Sequence, residues 1–238
     1  MQVRAQIEKR KRIDELEELN FNVPKNYFVS KECSSEELDS AASWAVNMYK
    51  IKKENNEPEV LNIRTYSYDD IFKKESISTP HHFNLRQETL ISLLPSLIRD
   101  YSLILNAESP NLGRISGNIA LIAPNDFVIE FVIKSHKAMV RDIDREPFYH
   151  LEGAISHSDF GIEQFINHHN SISTEFPIPI STIESVLKFI PRQASTYHSR
   201  NIILEFTYFE IPAGIFSIDQ RNKPEAELNT VWWEWRPY

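Results

Sequence analysis

A chain of 238 residues with 41% hydrophobic and 25% charged side chains has the material for a packed core, which excludes a wholly disordered protein. A net charge of −8 excludes a broad basic face for sequence-independent nucleic-acid binding, but it suits carboxylates that hold Mg²⁺. The one cysteine, Cys33, excludes an internal disulfide or a zinc–thiolate cluster, and 5 glycines against 13 prolines leave no Gly-rich phosphate loop.

In chain order, residues 5–19 predict an amphipathic helix with Ile13, Leu16 and Leu19 on one face. The turn Asn22-Val23-Pro24 ends it, and Tyr27-Phe28-Val29 reads as a short strand. Ser34 or Ser35 caps a second helix that runs through Leu38, Ala41, Trp44 and Met48. Residues 52–59 read as a polar linker. Val60 to Tyr66 is a strand, 85–101 a helix after Pro80, and 102–106 a short apolar strand. Two strands, 115–123 and 127–134, are joined by Pro124-Asn125-Asp126, a turn with a stated chemistry. A third strand is expected at 138–143, helices near 160–167 and 183–189, and closing strands at 202–209 and 230–235.

Strands and helices alternate early and hairpins follow, so the expected fold class is α/β (α+β) in two lobes, 1–80 and 81–238. No segment reads as a signal peptide, and none has the roughly 18 apolar residues of a membrane span. With one thiol, this points to a cytoplasmic protein without membrane or nucleic-acid partners.

Polar groups stand at strand ends in three places: Arg64 with Asp69 and Asp70 behind it, Glu205, and Glu234 with Arg236. If the last two strands pair, Glu205 and Glu234 lie side by side, and a cation relieves their repulsion. Mg²⁺ would link such acids to nucleotide phosphates, and Arg64 and Arg236 would clamp phosphate oxygens. Alternation on a half-exposed strand is the other explanation for both acids. His81-His82 and His168-His169 have the wrong spacing for zinc, Trp232, Trp233 and Trp235 read as core packing, and Cys33 lacks a base partner.

The order of these segments resembles the ATP-grasp nucleotide-binding domain of the phosphoenolpyruvate synthase and pyruvate phosphate dikinase family. Val23-Pro24-Lys25-Asn26-Tyr27-Phe28 stands where the family has Val-Pro-x-Gly-Phe, and Ile63-Arg64-Thr65-Tyr66-Ser67 where it has Val-Arg-Ser-Ser. Ile115-Ser116-Gly117-Asn118-Ile119-Ala120 is similar to Ser-Gly-Val-Ala, and Val128-Ile129-Glu130-Phe131 to a strand that carries an acid. Leu204-Glu205-Phe206 and Trp233-Glu234-Trp235-Arg236-Pro237 are similar to Ile-Glu-Trp and Leu-Gln-Ala-Arg-Pro. The family's Gly-Gly-Lys start is absent, which leaves Lys11 or Arg12 for that role.

The resemblance implies ATP and Mg²⁺ as cofactors. It implies a nucleotide cleft between two lobes, phosphate contacts from Arg64 and Arg236, and metal ligation by Glu205 and Glu234. Adenine would meet the backbone near Ala107 and Glu108, and Glu130 would stand beside the nucleotide. The implied reaction is phosphoryl transfer, and the expected acceptor is a small molecule or a histidine on a phosphohistidine-type partner protein, because the chain has no swivelling domain of its own. A non-catalytic module that acts through protein contacts, and a ligase joining a carboxylate to an amine, are the alternatives.

Overall fold

The computed structural model describes residues 2–19, 21–66, 80–108, 113–122, 126–133, 148–156, 159–167, 201–209 and 229–237. They divide between two compact units. One holds Met1–Lys11 and Pro24–Ser109, and the other holds Arg12–Val23 and the strands from residue 110 onward. The boundary expected near residue 80 is displaced, because the segments from 81 to 106 hydrogen-bond to, or pack against, the strand that contains Arg64.

Helix α1 (Gln2–Glu18) has its residues up to Lys11 in the first unit and those from Arg12 in the second, and β1 (Asn26–Val29) follows in the first unit. Helix α2 (Ser35–Glu54) begins at a capping box. The Ser34 hydroxyl accepts from the Glu37 amide at 3.2 Å, and the Glu37 carboxylate accepts from the Ser34 amide at 2.7 Å. Its buried positions Ala41, Ala45, Met48, Tyr49 and Lys52 recur at helical spacing and make one face. That face and Leu90 and Leu94 of α3 (Gln87–Leu97) share a core with Leu61 and Ile63 of β2 (Leu61–Tyr66) and Leu103 and Leu105 of β4 (Ser102–Asn106). With β3 (His81–Leu85) the sheet order is β1-β4-β2-β3, antiparallel throughout. Alternation then sends Asn62, Arg64, Ile104 and Asn106 to the sheet face away from α2 and α3.

The second unit is a six-stranded antiparallel sheet of order β10-β9-β5-β6-β7-β8. Its strands are β5 (Ile115–Ile122), β6 (Asp126–Ile133), β7 (Phe148–Ser156), β8 (Asp159–Asn167), β9 (Ile202–Tyr208) and β10 (Thr230–Pro237). One face is apolar: Ile115, Ile119, Phe127, Ile129, Phe131, Leu151, Leu204 and Phe206 are buried with Leu16, Phe21 and Val23. Phe21 meets Trp232 edge-on, with centroids 5.2 Å apart, and the Asn22 carbonyl accepts from the Trp232 amide at 2.8 Å. Gly117 sits on this face between Phe206 and Phe131. A Cβ there would collide with the Glu130 carbonyl oxygen and lie 2.8 Å from the Phe131 Cβ, so only glycine lets these strands close.

The fold class is α+β, as the sequence predicts, and it is built on two antiparallel sheets. Four elements differ from expectation. Residues 160–167 form strand β8, not a helix, because they pair with β7 along its length. Residues 52–54 belong to α2. Strands β3 and β7 stand where none was expected. The expected strand at 138–143 and helix at 183–189 lie outside the described residues. Among the described residues no helix is long and apolar enough to cross a membrane.

Candidate functional site

The face of the second sheet opposite its apolar core carries a row of polar residues. Glu234, Glu205, Asn118, Glu130 and His150 are successive register partners across β10, β9, β5, β6 and β7. Directly opposed residues place their Cβ atoms about 4.5–5.5 Å apart, so the two carboxylates of the expected pair do stand side by side. All five side chains are half-buried.

A bulge makes this row possible. Trp232 opposes Phe206 on the core face, and regular pairing would then place Glu234 opposite Leu204, also on the core face. The register slips by one residue between Trp232 and Glu234, so Glu234 faces Glu205 and Trp235 faces Leu204. The extra residue, Trp233, is buried, and its indole N–H donates to Thr207 Oγ1 at 2.9 Å. Ser116 Oγ lies 3.1 Å from the same hydroxyl, and the Ser116–Thr207 pair stands two residues along β5 and β9 from Asn118 and Glu205. Arg236 is two residues beyond Glu234, in register with Ile203.

At the other end of the row, His150 Nε2 is 2.7 Å from Glu152 Oε1, and its Nδ1 is 3.6 Å from Glu130 Oε1. Glu130, expected from sequence, is therefore in the same row as Glu205 and Glu234. Asn118 and His150 join it unannounced, with Glu152 beside His150 on β7. The signal for Asn118 was its polar phase in the alternating run Ile115 to Ile122.

The remaining expected residues belong to other elements. Arg64 belongs to the first unit, where it is in register with Ile104 and His81. Lys11 is exposed on α1. The Arg12 guanidinium lies over the Trp235 ring, 5.6 Å from its centroid, and the Trp235 indole N–H donates to Glu15 at 2.9 Å. Two polar groups expected to meet adenine are engaged inside the first unit. The Ala107 amide donates to the Lys25 carbonyl at 2.9 Å, and the Glu108 carbonyl accepts from Asn62 Nδ2. The Glu108 carboxylate is 3.9 Å from the Lys52 ammonium, which is 3.4 Å from Glu57 as well. Lys52 is 2% exposed, and its role was hidden because the sequence reading places it at the start of a polar linker, where a lysine is assigned to solvent.

No family model and no curated protein matches the chain. Solved structures similar to it include the macrocyclase MdnC bound with precursor peptide MdnA from Microcystis aeruginosa MRC, at 9% identity over 98% of this chain and 54% of that one, TM-score 0.45. The Chryseobacterium gregarium RiPP-associated ATP-grasp ligase, in complex with ADP and a leader and core peptide, is similar at 9% identity over 95% and 50%, TM-score 0.47. D-alanine–D-alanine ligase from Bacillus anthracis is similar at 10% identity over 96% and 55%, TM-score 0.46. The chain spans about half the length of these structures.

Proposed function

We propose that this chain binds Mg²⁺–ATP on the polar face of the second sheet and promotes phosphoryl transfer from it. The observation that carries the reading is the direct opposition of Glu205 and Glu234, delivered by the Trp233 bulge. Mg²⁺ ordinarily keeps several waters and takes one or two protein carboxylates together with phosphate oxygens. Two half-buried glutamates in register supply that donor set. When bound, the metal would neutralise phosphate charge. Glu205 and Glu234 would hold it, and Arg236 is the proposed partner of the phosphate oxygens.

Calorimetric titration of MgATP into the full chain tests this. Binding is expected in the micromolar range, lost with EDTA, and weakened at least about tenfold in Glu205→Gln and Glu234→Gln, because each removes one charge from the cation site. Unchanged titrations in both variants would remove the basis of the reading. No heat at millimolar nucleotide would leave a module that acts through partner contacts.

The acceptor is either a carboxylate, activated for attack by an amine, or a histidine on a partner protein. Product analysis separates the two: ligase chemistry releases ADP, and dikinase-type chemistry releases AMP.

A further inference from the structure

The polar row of the second sheet ends in a histidine set between two carboxylates. His150 and Glu130 are direct register partners on β7 and β6, and Glu152 is two residues along β7, on the same face. His150 Nε2 lies 2.7 Å from Glu152 Oε1, a hydrogen-bond distance that needs a proton between the two atoms. In the neutral imidazole that proton is on Nε2, so the lone pair is on Nδ1. Nδ1 is 3.6 Å from Glu130 Oε1, beyond direct hydrogen-bond reach. Two acceptors at this separation can be bridged by one donor group that carries two or more N–H bonds. The pair is open to such a group, because the His150 side chain is 18% exposed and that of Glu130 is 46% exposed.

A primary amine has that form, and its charged state suits a carboxylate partner. We propose that Glu130 and His150 hold the amine of a second substrate and that His150 Nδ1 takes its proton, with Glu152 as the positioning residue that fixes the imidazole. This inference rests on the Mg²⁺–ATP reading above and selects its carboxylate branch. In the first step a substrate carboxylate oxygen bonds to the γ-phosphorus, the bond from that phosphorus to the β–γ bridging oxygen breaks, and ADP leaves. The ammonium then gives one proton to His150 Nδ1 and becomes the nucleophile. Its nitrogen bonds to the acyl carbon, and the bond from that carbon to the phosphate oxygen breaks with its electron pair. The proton lost on amide formation leaves with the phosphate. The row has the length this needs. Adjacent strands stand about 4.8 Å apart, so from the Glu205–Glu234 pair to a ring that reaches from β7 toward Glu130 is about 12 Å. Cation, phosphoryl group, acyl carbon, amine and base in reacting contact span about the same distance.

The test is ¹⁵N NMR of the full chain with labelled histidines at about pH 8, near the ordinary value of an α-amino group. It is run without nucleotide, so that it stands apart from the MgATP titration. The ring signals of His150 are those, among the 8 histidines, that vanish in His150→Gln. If that variant does not fold, assignment through the backbone identifies them. Alaninamide, a primary amine without a carboxylate, should shift the Nδ1 signal saturably, with the proton of the bound imidazole on Nε2. Tetramethylammonium, a cation with no N–H, should leave the signal in place. Glu130→Gln should weaken the alaninamide response at least about tenfold, because a charge-assisted bond is lost. No response to alaninamide, or an equal response to tetramethylammonium, would overturn the inference and leave the nucleotide reading standing. A proton on Nδ1 in the amine complex would overturn it too, because that nitrogen could not then accept another. An amine response in a chain that fails the MgATP titration would overturn the nucleotide reading and the reaction built on it, while the amine subsite stands.

Discussion

Glu234 opposes Glu205 across β10 and β9, one register step after Trp232 opposes Phe206, and the residue between them, Trp233, has no partner in the ladder. The strand thus changes phase once, with tryptophans on the core face on both sides of the change. Deleting Trp233 tests this arrangement. With 233 gone, regular pairing carries Glu234 to Glu205 and Trp235 to Leu204 without a bulge. MgATP affinity should stay within about threefold of wild type, because the two acids keep their opposition. Stability should fall by about 3 kcal/mol in urea denaturation, because a buried indole and its bond to Thr207 are lost. Loss of nucleotide binding in a folded deletion variant would show that the bulge itself, and not the pairing it produces, makes the site.

The Lys52 cluster gives a second expectation. Its ammonium lies between Glu57 and Glu108, with side chains 3%, 16% and 5% exposed. Lys52→Met keeps the apolar stem and leaves the two acids without this cation. Removal of one partner from a buried ion pair is costly, so the loss should be about 3 kcal/mol, measured by chemical denaturation at neutral pH. Adding Glu108→Gln to that variant should recover part of the loss. A Lys52→Met variant as stable as wild type would mean that water already screens the cluster.

Tyr66 predicts a stability profile at high pH. Burial pushes its hydroxyl up to about 12, although the Arg10 charge pulls the other way. In the unfolded chain a tyrosine ionises near its ordinary value, about 10. Between these values the unfolded state has lost a proton that the folded state keeps, so stability falls as pH rises. The part due to Tyr66 is complete below pH 10 and is lost through about pH 12, on the order of 2 kcal/mol after allowance for partial exposure. Burial raises Tyr49 in the same direction. Urea denaturation at steps from pH 9 to pH 11.5 should show the decline, with a shallower slope in Tyr66→Phe. Identical slopes would count against a buried neutral Tyr66.

Much of the second sheet was legible because its strands alternate. Ile115 to Ile122 and Asp126 to Ile133 send apolar residues to one face and Asn118 and Glu130 to the other, and the turn residues between them mark the hairpin. The Glu205–Glu234 pairing was legible only as a conditional: alternation puts Glu234 on the face opposite Val231, Trp233 and Trp235, and nothing in the sequence shows that Trp232 takes the core face and that a bulge follows it. Strand β8 was misread because Phe160, Ile162, Phe165 and Ile166 fit neither period cleanly, and pairing with β7 decided the matter. Strand β3 was hidden by its own irregularity. Asn84 has φ 54°, and the register with β2 slips there, so His81 to Leu85 shows no alternation. The partners of Lys52 and Asn106 could not be read from the sequence, because Glu108 and Asn26 are distant in the chain and meet them only through strand pairing and helix packing.

The seclusion of Lys52 also makes the chain its own clock. An amine-reactive reagent reaches most lysines at the rate of collision with a surface, but this one only when the end of α2 parts from Glu57 and Glu108. How slowly residue 52 is acylated, relative to exposed Lys50 and Lys53 beside it, would time the opening of that corner, read by peptide mass spectrometry with no probe added to the protein.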